Sequence, residues 1–171
     1  MTNKTIENLD KEDLLTLLDM FAKNWLAMDG VWFQSVEKKF GMDEAVEHDK
    51  NAWRNFTVAE AKRIKQFLKL PERAGIKGLR QALAFRMYAT INEDEIIVED
   101  NVLVYRTLDC RVQNARKRKG MEFHPCKPVG LIEYTYFAKT IDDRFDCESI
   151  SCYPDVTDDT CNCSWKFTLR E

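Results

Sequence analysis

The strongest constraint on this fold is a change of hydrophobic period near Asn92. Before it, apolar residues recur at helical spacing; after it, β-branched and aromatic residues come in short runs. The two periods place side chains on different faces, so the switch commits the chain to helices first and sheet second, an α+β class. The stretch "EIIVEDNVLVYRTL" is two β-rich runs around a Glu-Asp-Asn turn and reads as a hairpin. "ESISCY" and "CSWKFTL" read as two later strands, and helical segments near Arg111 to Lys119 and Val129 to Lys139 separate the strand pairs. The expected architecture is an N-terminal helical layer of about four helices packed on a small antiparallel sheet, with two further helices. There is no repeat, low-complexity stretch or long linker, and 171 residues at 44% hydrophobic suit one core. Residues 1–171 are therefore expected to form a single domain, with a helical half over 1–92 and a hairpin and cysteine-containing half over 93–171.

Within the helical half, Asp10 is the expected N-cap, and Glu12 and Asp13 suit the positive end that follows it. Leu14, Leu17, Leu18, Phe21, Trp25 and Met28 make one apolar stripe, which Gly30 is expected to interrupt. A short second helix, "VWFQSVEKKF", should stop at Gly41. A long third one should run from about Asp43 to Leu70, where Pro71 prevents continuation. Its apolar face carries Val46, Asp49, Trp53, Phe56, Glu60, Ile64 and Phe67. Asp49 and Glu60 are out of place there, because a buried carboxylate needs a partner or a shifted pKa. Both should be largely buried and paired with arginine or backbone donors. A fourth helix is expected from about Ile76 to Thr90, with Ile76, Leu79, Leu83 and Met87 on its inner face.

Charge and composition exclude several functions. With 26 basic and 29 acidic residues, the chain has no overall electrostatic footprint for nucleic acid or anionic membrane. "MTNKTIENLDKEDLL" lacks the apolar core of a signal peptide, and no apolar run approaches the roughly 18 to 20 residues that span a bilayer. A cytoplasmic location is expected. Glycine-rich phosphate loop, nucleophile-elbow serine and dinucleotide fingerprint are all missing from the sequence. His48 and His124 are the only histidines; neither sits in a zinc-protease helix motif, and Glu44 with His48 reads as a surface pair.

The stretch "CRVQNARKRKGMEFHPCK" sets two thiols around a run of positive charge. Four readings compete. "ARKRKG" can be a helix end whose cations complement the dipole and whose Gly120 caps it. Arg111, Arg116 or Lys127 can instead bind an anion. A nucleic-acid patch is disfavoured, because Phe123 is the one aromatic residue in the stretch. The stretch can also be half of a metal site. All six cysteines, Cys110, Cys126, Cys147, Cys152, Cys161 and Cys163, lie in the last 62 residues of the chain, and such clustering is what a shared site would produce. Structural zinc sites usually pair ligands with about two to four residues between them; the closest pairs here, Cys161-Asn-Cys163 with one between and Cys147 to Cys152 with four, are less persuasive than the clustering. Metal ligands, redox or nucleophilic thiols, and buried inert thiols all remain open.

The segments "KNWLAMDGVWFQSVEKKFGMDEAVEHDKNAWRNFTVAEAKRIK" and "CRVQNARKRKGMEFHPCKPVGLIEYTYFAKTIDDR", followed by "CYPD" and "CSWKF", resemble an uncharacterised prokaryotic family of anaerobic bacteria and archaea. That family looks like a distant relative of the L-2-amino-thiazoline-4-carboxylate hydrolases. More loosely, the layout is similar to vinyl-reductase-type sensory domains that bind small molecules. The resemblance implies special positions at Trp25, Asp29, Trp32, Glu37, Asp49, Trp53 and Glu60 in the helical half. In the second half it implies Cys110, Arg111, Arg116, Cys126, Lys127, Glu133, Asp142, Arg144, Cys152, Asp155 and Trp165, with Cys163 in the tail. Relatives tend to have Cys-Pro-Pro-Asp where this chain has Cys152-Tyr153-Pro154-Asp155, and Cys147 and Cys161 look like extras.

The resemblance thus favours a smaller thiol set of Cys110, Cys126, Cys152 and Cys163, which could ligate zinc. Cys110 and Cys126 should lie close to each other and to Cys152 or Cys163, with Arg111 pointing into the same space. The first functional expectation is a small-molecule-binding protein with a cysteine and arginine-lined site, in which Arg111, Arg116, Lys127, Glu133 and Trp53 contact the ligand. The alternative is a hydrolase of a small sulfur or nitrogen heterocycle. There Cys110 or Cys126, or a metal they hold, would activate water, and Asp49 or Glu60 would act as general base. A third expectation is a zinc-stapled interaction protein. The partners expected are a small-molecule ligand and a second copy of the chain in a homodimer, without membrane or nucleic acid.

Overall fold

The computed structural model describes residues 4–171. A short α1 (Lys4–Glu7) precedes α2 (Lys11–Phe40), α3 (Met42–Phe67), α4 (Gly75–Leu83) and a 3-10 turn (Met87–Thr90). The hairpin β1 (Glu93–Glu99) and β2 (Val102–Asp109) comes next. It is followed by α5 (Arg111–Arg118), α6 (Cys126–Ile141), β3 (Phe145–Cys152) and β4 (Cys163–Leu169). The fold class is α+β: six α-helices and a four-stranded antiparallel sheet among the described residues.

Asp10 caps α2 as expected, its Oδ1 accepting the Asp13 N–H at 2.9 Å. Gly30, however, does not break the helix. One glycine in a helix interior costs only about 1 kcal/mol against alanine, and a helix this long absorbs it. The break comes at Gly41, where φ of 92° ends the run. The stripe that marks α2 as a helix is mostly uncovered: Leu18 is 59%, Phe21 51% and Met28 64% exposed. Trp25 is the member that packs inward, stacked on Phe56 at 5.1 Å and edge-on to Trp53 at 5.9 Å. On α3, Trp53, Glu60 and Ile64 are buried as expected, but Phe67 is exposed. The close seam is made by smaller residues, with Thr57 Oγ1 donating to the Glu133 carbonyl of α6 at 3.1 Å and Ala61 in the core. The fourth helix is shorter than expected because Arg86 adopts an extended backbone, with ψ of 150°, and turns its side chain inward.

The strand order is β1-β2-β4-β3, so the late strands extend the hairpin through β2 and β4. Tyr105 pairs with Trp165, and Thr107 with Cys163, on the face that is buried. The helix laid on that sheet is α6, which contacts both β3 and α3. The N-terminal helices therefore reach the sheet largely through α6 rather than packing on it directly. The cause lies in composition: α6 buries Val129, Tyr134, Phe137, Ala138 and Ile141 and can serve two layers. Gly130 lets the Trp165 indole lie flush on it, since a Cβ there would stand 2.5 Å from the ring. At the far end, buried Asp142 accepts from Arg144 Nη2 and from the Gly75 N–H, both at 2.9 Å, which ties α4 to the turn after α6. No helix among the described residues is long and apolar enough to cross a membrane.

Candidate functional site

Cys110 is the N-cap residue of α5, immediately after β2. The Asn162 side chain accepts its N–H at 2.8 Å, and the Asn92 side chain accepts that of Arg111 at 3.0 Å, so two amides fix where the helix starts. The chain returns through His124, which buried Gln113 holds from both sides: its Nε2 donates to the His124 carbonyl and its Oε1 accepts the His124 N–H. The α6 helix then begins at Cys126. This path brings Cys110, Cys126 and Cys163 to one cavity of about 350 Å³, walled by α2, α3, α5, α6 and the sheet. Cys152 pairs with Cys163 across the ladder, and its thiol also meets that of Cys126. Cys147 lies beside Thr135, and Cys161 lies 3.6 Å from Asp158 in the loop before β4, so neither joins the four.

The gathered thiols are not activated. Burial pushes Cys110 up to about 11, although backbone N–H groups of Gln113 and Val112 at the start of α5 pull the other way. The hydrogen bond between Cys126 and Cys152 favours a Cys126 thiolate, but burial and the neighbouring thiols still raise its pKa. Cys163 is raised by its bond to Cys152 and by burial. Nor is the buried Arg116 guanidinium in the same lining free to pair with a thiolate. Arg116 forks onto Glu37 at 2.8 and 2.7 Å and also donates to the Glu122 carbonyl. That fork holds Glu37 below the usual carboxylate range. Among the described residues, no group of three or more His, Cys, Asp or Glu side chains is placed to hold a metal ion.

The other basic candidates separate. Arg111 lines the cavity but is exposed. Lys127 is not in the lining and pairs with Asp155 at 2.8 Å on the outside. "ARKRKG" does end a helix: Gly120 takes φ of 64°, and its N–H donates to the Lys117 carbonyl at 3.1 Å.

The two odd carboxylates of α3 part company. Glu60 is held against buried Arg86 at 3.0 Å and does not line the cavity. Arg86 also holds Glu133 at 2.6 Å and lies among the rings of Trp53, Tyr88, Tyr134 and Phe137. Two carboxylates thus share one guanidinium. Burial, only partly countered by Arg86, pushes Glu133 up to about 7. Asp49 does face the cavity, and its partner is His124, with Oδ2 3.3 Å from Nε2, rather than an arginine. Asp29 on α2 lies beside them. Burial first, and the like charge of Asp49 second, raise its carboxyl to about 6. Trp53 lines the same space and stacks on Tyr88 at 5.8 Å.

Sequence reasoning passed over His124, Tyr88 and Arg86. A signal for Arg86 existed: one cation within "LAFRMYA" is the natural partner of stranded carboxylates on a neighbouring helix. His124 carried none, since only the fold sets it opposite Asp49.

Fold and site together define an α+β protein with a cavity lined by acidic and basic side chains, aromatic rings and thiols. The chain belongs to DUF6125, a family of unknown function, whose model matches residues 7–169. No curated protein matches it. The similarity to thiazoline-carboxylate hydrolases and to vinyl-reductase-type domains is not shown by these comparisons.

Proposed function

We propose that this chain is a small-molecule-binding protein whose ligand occupies the cavity between the helices and the sheet. The observation that carries this reading is His124. The residue is 8% exposed, lines the cavity, and has Nδ1 buried without a hydrogen-bond partner. Buried polar atoms are nearly always paired, because an unpaired one costs roughly 1–3 kcal/mol. Trp165 Nε1 is a second such atom in the same lining, with the Cys163 sulfur nearby as at best a weak acceptor. The cavity volume falls within the range of about 300 to 1,000 Å³ typical of ligand pockets. Ligand-observed NMR with a fragment library tests the reading, using Ala115→Phe to fill the lining from α5. Fragments should bind the native chain and lose binding in the variant while its melting temperature holds. Fragments that bind both proteins equally would place recognition elsewhere.

A second reading is a hydrolase, and the Asp49–His124 pair favours it, since an imidazole oriented by a carboxylate and facing a cavity can take a proton from water. Release of product from a small sulfur or nitrogen heterocycle, abolished in His124→Gln and Asp49→Asn, would support it. Binding of such compounds without turnover would leave the binding role alone.

A further inference from the structure

We propose that the cavity selects a cationic amine carried on a small apolar or aromatic body. This inference rests on the ligand-binding reading and gives it a chemical class. Asp29, Asp49, Glu60 and Glu133 gather around the cavity and its inner wall, and the one guanidinium buried among them is Arg86. The remaining cations are committed or peripheral. Arg116 is neutralised by Glu37; Lys23 pairs with Asp19 at 2.6 Å; Lys119 donates to Gln34 at 3.0 Å; Arg111 and Arg118, also in the lining, are exposed. Exposed charges at a mouth are screened within about 8 Å at physiological salt, whereas charges inside a low-dielectric cavity are not. The interior therefore carries the uncompensated charge, and it is negative.

The partnerless imidazole atom agrees in sign. With Nε2 turned to Asp49, a proton on that nitrogen leaves Nδ1 a lone pair, so the vacancy at His124 is for a donor. A ligand ammonium supplies N–H groups to Nδ1 and to the Asp29 and Asp49 carboxylates. The stacked rings of Trp53 and Tyr88 supply π-faces for its charge, and the thiols of Cys110, Cys126 and Cys163 supply an apolar wall for its body. A carboxylate ligand would meet Asp29 and Asp49 as repulsion, and the unpaired Trp165 Nε1–H is left for a neutral acceptor on the ligand body.

Isothermal titration of benzylamine, benzyl alcohol and benzoate, which share one ring and differ in head charge, tests the proposal. Benzylammonium should bind about tenfold or more tighter than benzyl alcohol, as one charge-assisted hydrogen bond would give, and benzoate should not bind. Asp29→Asn should erase the advantage of the amine over benzyl alcohol, and Asp49→Asn should act the same way, with a melting temperature in each no lower than that of the native chain to show the fold intact. Benzoate binding as tightly as the amine, or an amine advantage untouched by both variants, would overturn the amine class while leaving a ligand cavity. Failure of all three compounds to bind the native chain would overturn the cavity reading together with it.

Discussion

Arg86 is 1% exposed, between Glu60 and Glu133, with four aromatic rings around its guanidinium. Removing it while both carboxylates stay would leave buried charge unpaired, so Arg86→Met should cost about 3–5 kcal/mol in urea unfolding. Adding Glu60→Gln and Glu133→Gln to that variant should recover a large part of the loss. A small effect of Arg86→Met alone would mean that the carboxylates are already protonated. Asp29 gives a pH prediction. Its carboxyl is raised in the folded state to about 6 from 3.8, so the unfolded chain ionises first and the folded state loses stability as pH climbs between those values. Asp29→Asn should therefore be neutral near pH 4 and stabilising above pH 6, by at most about 3 kcal/mol. A gain at pH 4 equal to that at pH 7.5 would show that the carboxyl is not desolvated. Asp49 and Glu60 were legible in the sequence as carboxylates on an apolar stripe. Of their partners, Arg86 carried a signal as the one cation in "LAFRMYA", whereas His124 carried none, because it reaches Asp49 only through tertiary packing.

At the level of elements, the hydrophobic period located the helices, and Gly41 bounded the start of α3, which ends at Phe67 rather than the expected Leu70, with Lys69 at φ of 53° breaking the helix before Pro71. Gly30 was misjudged because a glycine signals permission to bend, not a bend. In the helix, a Cβ there would meet nothing closer than Gln34 Nε2 at 3.9 Å. Gly30→Ala should accordingly raise stability by up to about 1 kcal/mol. Gly130→Ala should do the reverse, since its Cβ would overlap the Trp165 ring, and a loss of about 1–3 kcal/mol is expected from overpacking. Thermal melts of the two variants, moving in opposite directions, check both assignments. Leu18, Phe21 and Met28 show the limit of periodicity: it identifies a helix with an apolar side but not what covers that side. The pairing of β2 with β4 was likewise open until the fold fixed it.

For the whole molecule, the choice of Cys110, Cys126, Cys152 and Cys163 over the full six agrees with their convergence on one place, while their chemistry follows from burial, which no spacing reveals. With their pKa values raised, alkylation by iodoacetamide at neutral pH should be slow, and at Cys110 it should climb steadily with pH and level off only near about 11. A thiol that reacts fully near pH 7 would reinstate a nucleophile. The vacancy at His124 remains the point on which the binding role turns, and imidazole ¹⁵N shifts report on it directly. On titration with benzylamine, the Nδ1 resonance should move saturably, in step with the binding isotherm, as its lone pair gains a donor. Saturation of binding with the His124 Nδ1 shift unchanged would contradict a ligand seated in this cavity.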